Sequence, residues 1–531
     1  MINRIFLFTL FSFLVCTVKA QAPIDVLNYQ FNIGVNDAND TMYGVAIIKF
    51  LVKEKRPDIQ FDLTAVKKDG KGMLATVVGY KDNYSNPVAV KQENDKLIIP
   101  TTLNAGDTGE IIINYKGIPS DGLIISKNKF GKRTFFSDNW PNRAHNWIPC
   151  VDDIADKATV EFSVSAPDHY KVISNGLLVD QMKMENNYKL TTYKENVPLP
   201  TKVMVIGVAD FAVDSVGAIN SIPVYSWVFP ENKKEGFYDY AQAKNILGFF
   251  MDYIGPYAYK KLANVQSKTI FGGMENASAI FYFENSVNGK NQQETLLAHE
   301  IVHQWFGDMA TEKSFAHLWL SEGFATYLTH IYIESKYGTD SLNKRMKAER
   351  QEIIAFVKSS HRPVVDSTSD YMQLLNVNSY QKGGWILHML RRQLGDAVFK
   401  KSIRKYYETF AGKNAATSDL QKVFEAVSGK KLDNFFAQWL NTPANPKLKV
   451  KWTYLPRTKK IQVDVEQLQT ERIFNLPLEI AMIVGGKKIT MPLQIDSQVQ
   501  RFTFAAPKKP SSIILDPNTS LLFEGTVTEG K

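Results

Sequence analysis

The chain has 531 residues, of which 44% are hydrophobic, 22% charged and 12% aromatic. This composition excludes a disordered chain, a collagen-like repeat and a disulfide-dense small scaffold, and the length favours about three or four domains. The net charge is +9, or 61 − 54 = +7 without residues 1–20, and because the basic residues are scattered rather than interleaved with aromatic ones in a stripe, we expect no nucleic-acid partner.

Residues 1–20 have the features of a secretory signal peptide. A positive start at Arg4 precedes an apolar run over residues 5–15, and Ala20 ends a small-residue cleavage site. The run is too short to span a bilayer, and the bulky residues before Cys16 disfavour a lipoprotein anchor. We therefore expect an exported protein, periplasmic or secreted, without stable membrane insertion.

Residues 21–215 are predicted to form a β domain. Apolar and polar residues alternate in short segments, and turn signals separate these segments. No helix longer than about two turns is expected here. The clearest predicted strands are 43–52, 59–66, 110–115 and 159–165.

Residues 216–443 change to helical spacing of apolar positions, and Thr417 or Ser418 is a candidate helix N-cap. The predicted helices are 235–254, 294–308, 318–337, 341–357, 379–394, 397–410, 417–427 and 432–440. Residues 444–531 return to short strands at regular spacing, which favours a small β-sandwich. The predicted strands there are 448–454, 460–465, 478–484, 488–493 and 511–515. The fold class is therefore multidomain α+β.

The segment 299–303 reads His-Glu-Ile-Val-His inside an amphipathic stretch. On a helix, positions i and i+4 face the same way, so His299 and His303 can bind one metal ion with Glu300 beside it as a general base. A helix can also carry such residues merely as a polar face. The spacing nevertheless favours the arrangement found in zinc metalloproteases.

A catalytic zinc site needs three protein ligands and one open position. Glu322 lies near the start of the next long helical segment, and two antiparallel helices would bring it against His299 and His303. His317 and His330 are rival candidates for the third ligand. We interpret both of these rivals as structural, because one falls in a loop and the other two turns further along.

The chain resembles the gluzincin aminopeptidases of peptidase family M1, the aminopeptidase N-like enzymes. Glu322 follows the His-Glu-Ile-Val-His motif after eighteen residues. Residues 272–276, Gly-Gly-Met-Glu-Asn, are similar to the exopeptidase signature of that family, and residues 380–383, Tyr-Gln-Lys-Gly, are similar to its catalytic-tyrosine segment. These motifs lie between residues 134 and 394, and the domain order agrees beyond them.

This resemblance implies a saddle-like N-terminal domain, a thermolysin-like catalytic domain and a C-terminal β-sandwich, in a form that lacks the helical domain many relatives carry after the sandwich. It implies a zinc-dependent aminopeptidase (EC 3.4.11 type) that hydrolyses N-terminal residues from peptides with a free N-terminus. One Zn²⁺ per chain would be the cofactor. The implied residues are the metal ligands His299, His303 and Glu322, the general base Glu300, the oxyanion donor Tyr380, and the substrate-binding residues Gly272, Gly273, Met274, Glu275 and Asn276.

One departure from the family concerns the N-terminal domain. The family usually places a Gln or Glu about a dozen residues before an aspartate that here looks like Asp152, and counting back from Asp152 reaches Trp140. We therefore expect Asn139 or Trp140 to line the side-chain pocket and to alter which first residues fit.

Two alternatives to the peptidase function stay open. A lipid-epoxide hydrolase of the same family would need polar residues that the segment 372–375 does not offer, and a catalytically silent peptide-binding protein would lack chemistry that is present here. Among the other residues, His388 is interpreted as a core histidine and Cys150 as buried, whereas Asp308 is either a neighbour of the metal ligands or a helix-end carboxylate. The preferred first residue and the oligomeric state are not predicted.

Overall fold

The computed structural model describes residues 23–83 and 85–530. The predicted signal peptide, residues 1–20, lies outside the described residues. The predicted order of a β-rich region, a helical region and a second β-rich region is confirmed. Within the described residues, no helix combines the length and the apolar character needed to cross a membrane.

The N-terminal region is built from three sheets and, in its described part, has only short 3-10 turns besides them. The sheets have the orders β12-β13-β10-β1-β2-β7-β4, β11-β14-β9-β8 and β3-β6-β5. The strands are β1 (Ile24–Gly34), β2 (Met42–Val52), β3 (Asp58–Asp62), β4 (Gly72–Tyr80), β5 (Lys91–Glu93), β6 (Lys96–Pro100), β7 (Thr108–Ile118), β8 (Leu123–Lys127), β9 (Arg133–Ser137), β10 (Ala158–Pro167), β11 (Lys171–Ser174), β12 (Leu177–Lys183), β13 (Tyr188–Leu199) and β14 (Ile206–Ala209).

The strand predicted over residues 59–66 ends at Asp62. Beyond this point the backbone N–H groups leave the ladder for different segments: Leu63 donates to the carbonyl of Asp95 at 2.9 Å and Thr64 to that of His145 at 2.8 Å. Alternation of apolar residues therefore continued in the sequence after the strand pairing had stopped.

The helical region contains a five-stranded sheet that the sequence analysis missed, with the order β15-β16-β17-β19-β18. All six residues of β17 are buried, so the strand shows no alternation of apolar and polar residues. The first strand crosses the predicted domain boundary at residue 215. The strands are β15 (Ala212–Ile219), β16 (Ile222–Val228), β17 (Leu262–Ser267), β18 (Gly273–Met274) and β19 (Ala279–Phe283).

The predicted helices are present with changed bounds. The first is two helices, the second ends at His303, and the fifth begins with a π-helix over Asn378–Lys382. The helices are α1 (Lys233–Tyr240), α2 (Ala243–Tyr253), α3 (Glu294–His303), α4 (Trp319–Tyr337), α5 (Thr339–Val357), α6 (Gly383–Leu394), α7 (Asp396–Phe410), α8 (Thr417–Ser428) and α9 (Asp433–Leu440). A parallel pair, β20 (Thr311–Glu312) and β21 (Asn414–Ala415), joins two of their connections.

The N-cap prediction for α8 is wrong. Ala416 is the N-cap, and its backbone N–H is bound by the carboxylate of Asp419 at 3.0 Å. Thr417 lies inside the helix, and its hydroxyl instead accepts the indole N–H of Trp319 at 2.9 Å. A tertiary contact has therefore taken the hydroxyl that a local cap would have used.

The C-terminal region forms two sheets with the orders β26-β23-β22-β28 and β25-β24-β27. Buried residues of both sheets join the main apolar core, which also includes the helices. The strands are β22 (Lys447–Leu455), β23 (Lys460–Gln467), β24 (Leu476–Val484), β25 (Lys487–Ile495), β26 (Val499–Ala505), β27 (Ser512–Leu515) and β28 (Glu524–Glu529).

Candidate active site

Helices α3 and α4 bring three ligand atoms to one point. The Nε2 atoms of His299 and His303, one turn apart on α3, are 3.2 Å from each other. The Oε2 atom of Glu322, on α4, lies 3.4 Å from the first and 3.3 Å from the second. The three atoms therefore form a nearly equilateral triangle, as the helix spacing predicted.

This triangle has the size that zinc requires. Two ligand atoms at about 2.05 Å from a tetrahedral ion lie about 3.3 Å apart. The Oε2 atom of Glu322 is buried without a hydrogen-bond donor, so a bound cation would satisfy it. The donor set of two imidazoles and one carboxylate suits Zn²⁺ and leaves a fourth position free.

The ring of His303 is oriented by the contacts of its Nδ1 atom. Its Nδ1 atom lies 3.1 Å from the carbonyl oxygen of Phe306 and 3.1 Å from the hydroxyl of Ser321. Because the carbonyl can only accept, Nδ1 carries a proton, which leaves Nε2 as the ring atom that can bind a metal. Gly307, at φ +122°, permits this packing, since a Cβ there would lie 2.5 Å from the Ser321 hydroxyl.

Tyr380 reaches the cluster because α4 and α6 cross at a glycine contact. A Cβ on Gly323 would lie 2.9 Å from the α-carbon of Gly383. Tyr380 lies in the π-helix that leads into α6, and its ring stacks on that of His299 with a centroid distance of 6.0 Å. A π-turn of this kind is common at functional sites.

Two further carboxylates adjoin the ligand triangle. Ligand atoms of Glu275, Glu300 and His303 lie within 4.8 Å of one another. The backbone of Glu275 is held by Gln304, whose amide donates to its carbonyl at 2.6 Å, while its carboxylate Oε1 is buried without a partner. Gly273 packs directly against Glu300, because a Cβ on Gly273 would lie 2.5 Å from the Glu300 Cδ.

These groups surround a cavity of about 280 Å³. The lining also includes five apolar side chains. The lining residues are Trp140, Phe271, Gly272, Gly273, Met274, Glu275, Leu296, His299, Glu300, His303, Glu322, Leu375 and Tyr380.

Two of the predicted pocket residues do not line this cavity. The side chain of Asn276 is fully buried, and neither atom of its amide has a hydrogen-bond partner. The Asn139 amide donates instead to the carbonyls of Thr201 and Met204 at 3.0 and 2.7 Å. Trp140, the other residue expected at this place, does line the cavity.

Burial and neighbouring charges shift the pKa values at the site. Burial raises the pKa of Glu300 to about 8 and lowers the pKa of His299. Burial opposes the charged form of His303, but the carboxylates of Glu322 and Glu275 outweigh it and raise its pKa to about 10. Burial and the nearby carboxylates hold the pKa of Tyr380 well above its usual range, so the phenol stays protonated and can donate a hydrogen bond.

The rival histidines lie outside the ligand triangle. His317 contacts the hydroxyl of Thr417 at 3.0 Å, and His330 contacts the carboxylate of Glu349 at 2.6 Å. His388 is a buried core histidine, as predicted, between the hydroxyl of Tyr327 and the carbonyl of Thr519. Cys150 is likewise buried.

The sequence analysis missed a buried polar group behind the site. Gln304 donates to the carboxylate of Asp308 at 2.9 Å, which places Asp308 next to the residues that hold Glu275. Lys202, from the N-terminal region, pairs with Glu312 at 2.7 Å, and both side chains are almost completely buried. Gln304 follows His303 directly on the chain, so its position beside the motif could have indicated a role near the site. No pattern in the sequence around Lys202 indicates that it lies there.

Comparisons with known proteins agree with this geometry. Residues 26–203 match the Peptidase M1 N-terminal domain, and residues 238–439 match the Peptidase family M1 domain. The chain is 29% identical over 411 residues to probable aminopeptidase 2 of Sulfurisphaera tokodaii (73% of this chain and 51% of the relative). It is 28% identical over 397 residues to aminopeptidase M1 of Arabidopsis thaliana (69% and 44%) and 27% identical over 398 residues to leucyl aminopeptidase of Saccharolobus solfataricus (71% and 48%). The chain thus spans about half the length of these relatives.

Proposed function

The chain belongs to peptidase family M1, and from this premise we propose that it is a zinc-dependent aminopeptidase that removes N-terminal residues from peptides. The observation that carries the proposal is the ligand triangle of His299, His303 and Glu322, with Glu300 and Glu275 in the same cavity. A metal site with two further buried carboxylates beside it suits the binding of a zinc ion and of the ammonium group at the N-terminus of a peptide.

The charges around the cavity support this pairing. The carboxyl groups of Glu275, Glu300 and Glu322 interact with one another there and with the imidazole of His303. Behind them, Asp308 interacts with Glu275 and with the ammonium groups of Lys157 and Lys202. A divalent ion and the ammonium group of a substrate would add positive charge beside these buried carboxyl groups.

His299, His303 and Glu322 would hold the zinc, which when bound polarises the scissile carbonyl and makes water more acidic. Glu300 takes the proton of the attacking water and passes it to the leaving amine. Tyr380 donates a hydrogen bond to the developing oxyanion.

Glu275 and β18 account for a preference for a free N-terminus and an extended peptide. The unpartnered carboxylate oxygen of Glu275 can accept the substrate ammonium group, whereas a blocked N-terminus would leave this oxygen buried and unpaired. Strand β18 (Gly273–Met274) is the last strand of its sheet, so its free edge can pair with a substrate backbone.

The proposal is tested with zinc analysis and hydrolysis of aminoacyl-p-nitroanilides by the wild type and Glu300→Gln. The variant keeps the side-chain shape but removes the base, so we expect one zinc per chain in both proteins and a kcat loss of about 10²- to 10⁴-fold. An acetyl-blocked substrate is the matched control and should not be hydrolysed. Stoichiometric zinc without hydrolysis of any unblocked substrate would favour the silent peptide-binding alternative.

Export and the absence of membrane insertion stay predictions. Cell fractionation followed by N-terminal sequencing of the mature chain tests them. We expect the mature chain to begin at Gln21 in the exported fraction. A cytoplasmic chain that retains residues 1–20 would contradict the expectation.

A further inference from the structure

The lining of the cavity next to the ligand triangle includes an apolar group of residues from four separate segments. Trp140 comes from the N-terminal region, Phe271 from the loop before β18, and Leu375 from the segment before the π-helix. Met274 and Leu296 complete it. We call these five residues the apolar wall.

We propose that the apolar wall selects substrates with a large apolar first residue and that Trp140 is the residue that determines this specificity. The inference rests on the proposed aminopeptidase function, because it places the side chain of the first residue against the wall. Glu275 would hold the ammonium group of the same residue.

The position of Trp140 is rigid. Its ring meets Phe271 and Phe315 edge to face, with centroid distances of 5.8 and 5.7 Å. The guanidinium of Arg143 binds the carbonyl of Trp140 at 2.7 Å, and the neighbouring Asn139 is fixed by its own buried hydrogen bonds. A rigid ring with only 3% of its surface exposed offers a face for packing rather than a flexible flap.

The charges exclude an acidic first residue. Among the described residues that line the cavity, the ionisable side chains are those of the ligand triangle together with Glu275, Glu300 and Tyr380. None of these lining residues is a lysine or an arginine. The nearest guanidinium, that of Arg143, lies 5.9 Å from the ring of Phe271 and is engaged by Asp138 at 2.8 Å and Asp121 at 2.9 Å. An acidic side chain would therefore lose its hydration without gaining a cation and would be repelled by Glu275.

A first residue of the leucine or phenylalanine type gains most from this wall. Its side chain buries apolar surface against Trp140 and Phe271, whereas alanine leaves most of that surface uncovered. A lysine side chain is intermediate, because its methylene stem can pack on the wall but its ammonium group would lose hydration against the apolar side chains.

The test is a substrate panel of leucine, phenylalanine, alanine, lysine and glutamate p-nitroanilides with wild type, Trp140→Phe and Trp140→Ala. We expect wild-type kcat/KM for leucine and phenylalanine to exceed that for alanine by about 10-fold or more and that for glutamate by about 100-fold or more. Trp140→Ala should lower the leucine-to-alanine ratio by about 10-fold, with Trp140→Phe between the two. The ratio is measured on one preparation, so any inactive fraction cancels.

Tyr43→Ala is the matched control, because Tyr43 is an exposed aromatic residue on β2 of the same N-terminal region. We expect this variant to keep the wild-type ratio. An unchanged ratio in Trp140→Ala, or equal wild-type rates for leucine, alanine and glutamate, would overturn the specificity proposal while the aminopeptidase function stood. A wild type that binds zinc but cleaves no member of the panel would instead overturn the proposed function.

Discussion

Gly273 is the residue whose missing side chain most directly sets the position of Glu300, the proposed general base. The backbone of β18 passes so close to Glu300 that a methyl group on Gly273 would lie 2.5 Å from the Glu300 Cδ. Glu300 is in turn enclosed by the cavity and by Glu275, so it has little room to yield.

We therefore expect Gly273→Ala to displace the Glu300 carboxylate and to lower kcat by about 10- to 100-fold, since a misplacement of about 1 Å can have this effect. Zinc content should not change, because Gly273 does not touch the metal ligands. Steady-state kinetics and zinc analysis measure the two effects. Gly34→Ala is the control, since a methyl group there meets no atom closer than 3.8 Å; equal kcat in Gly273→Ala and wild type would contradict the argument.

Asp156 is a buried carboxyl group that lowers stability as the pH rises. Burial raises its pKa from 3.8 to about 7; its Oδ2 accepts the N–H of Val26 at 3.2 Å, and its Oδ1 has no partner. Below pH 3.8 both the folded and the unfolded chain hold the proton. Between pH 3.8 and about 7 only the folded chain holds it, so the free energy of unfolding falls with pH, and above pH 7 the loss is complete.

Asp156→Asn keeps an acceptor for Val26 and removes the charge. We expect it to raise the free energy of unfolding by about 2 kcal/mol at pH 8 and to have little effect at pH 4. Thermal unfolding at both pH values is the measurement. A variant that stabilises the protein equally at pH 4 and pH 8 would show that the charge is not responsible.

At the scale of elements, the crossing of α4 and α6 joins the proposed metal ligand Glu322 to the proposed oxyanion donor Tyr380. Glu322 precedes Gly323 on α4, and Tyr380 lies just before Gly383 on the π-turn that enters α6. The two glycines touch through their backbones, so neither helix can take a side chain at this place without moving away from the other.

Gly323→Ala should separate the helices, because its Cβ would lie 2.9 Å from backbone atoms of Gly383. We expect destabilisation by about 1–3 kcal/mol and weaker zinc binding, since Glu322 moves with the helix. Gly384→Ala is the comparison on α6: its Cβ would lie 3.2 Å from a methyl group of Thr326, which can yield, so the effect should be smaller. Competition with a chelator and thermal unfolding rank the variants, and a reversed order would exclude the crossing as the cause.

At the scale of the whole molecule, a buried ion pair joins the N-terminal region to the helical region. Lys202 and Glu312 have side-chain exposures of 1% and 0%, and Lys157 adds hydrogen bonds from the same region to the backbone carbonyls of Asp308 and Met309. The relative placement of Trp140 and the metal ligands depends on this contact, because they belong to the two regions that it connects.

Lys202→Met should leave the Glu312 carboxylate buried and unpaired, and we expect destabilisation by about 3–5 kcal/mol. The double variant Lys202→Met/Glu312→Leu removes both charges and should be less destabilised than the single variant. Thermal unfolding of both singles and the double variant gives the coupling between the residues. Strictly additive losses would mean that the two side chains do not act as a pair.

Local patterns were enough to predict which residues form the ligand triangle. Helix periodicity places His299 and His303 on one face, and an antiparallel pair of helices brings Glu322, near the start of the next long helix, towards them. The same local character predicted the alternating strands of the outer regions. It failed for β17, which is buried on both faces and shows no alternation, and for the helix N-cap at Ala416, where a tertiary contact claims the hydroxyl of Thr417.

The sequence by itself determined the order of the three regions and predicted the residues of the ligand triangle with Glu300, because each depends on residues close together in the chain. Only the tertiary structure decided that Phe271, Leu296 and Leu375 join Trp140 in the apolar wall and which buried charges stand behind it. Trp140 and Phe271 are 131 positions apart, and Lys202 and Glu312 are 110 apart. Such contacts depend on how whole sheets and helices pack, and no spacing along the chain records that.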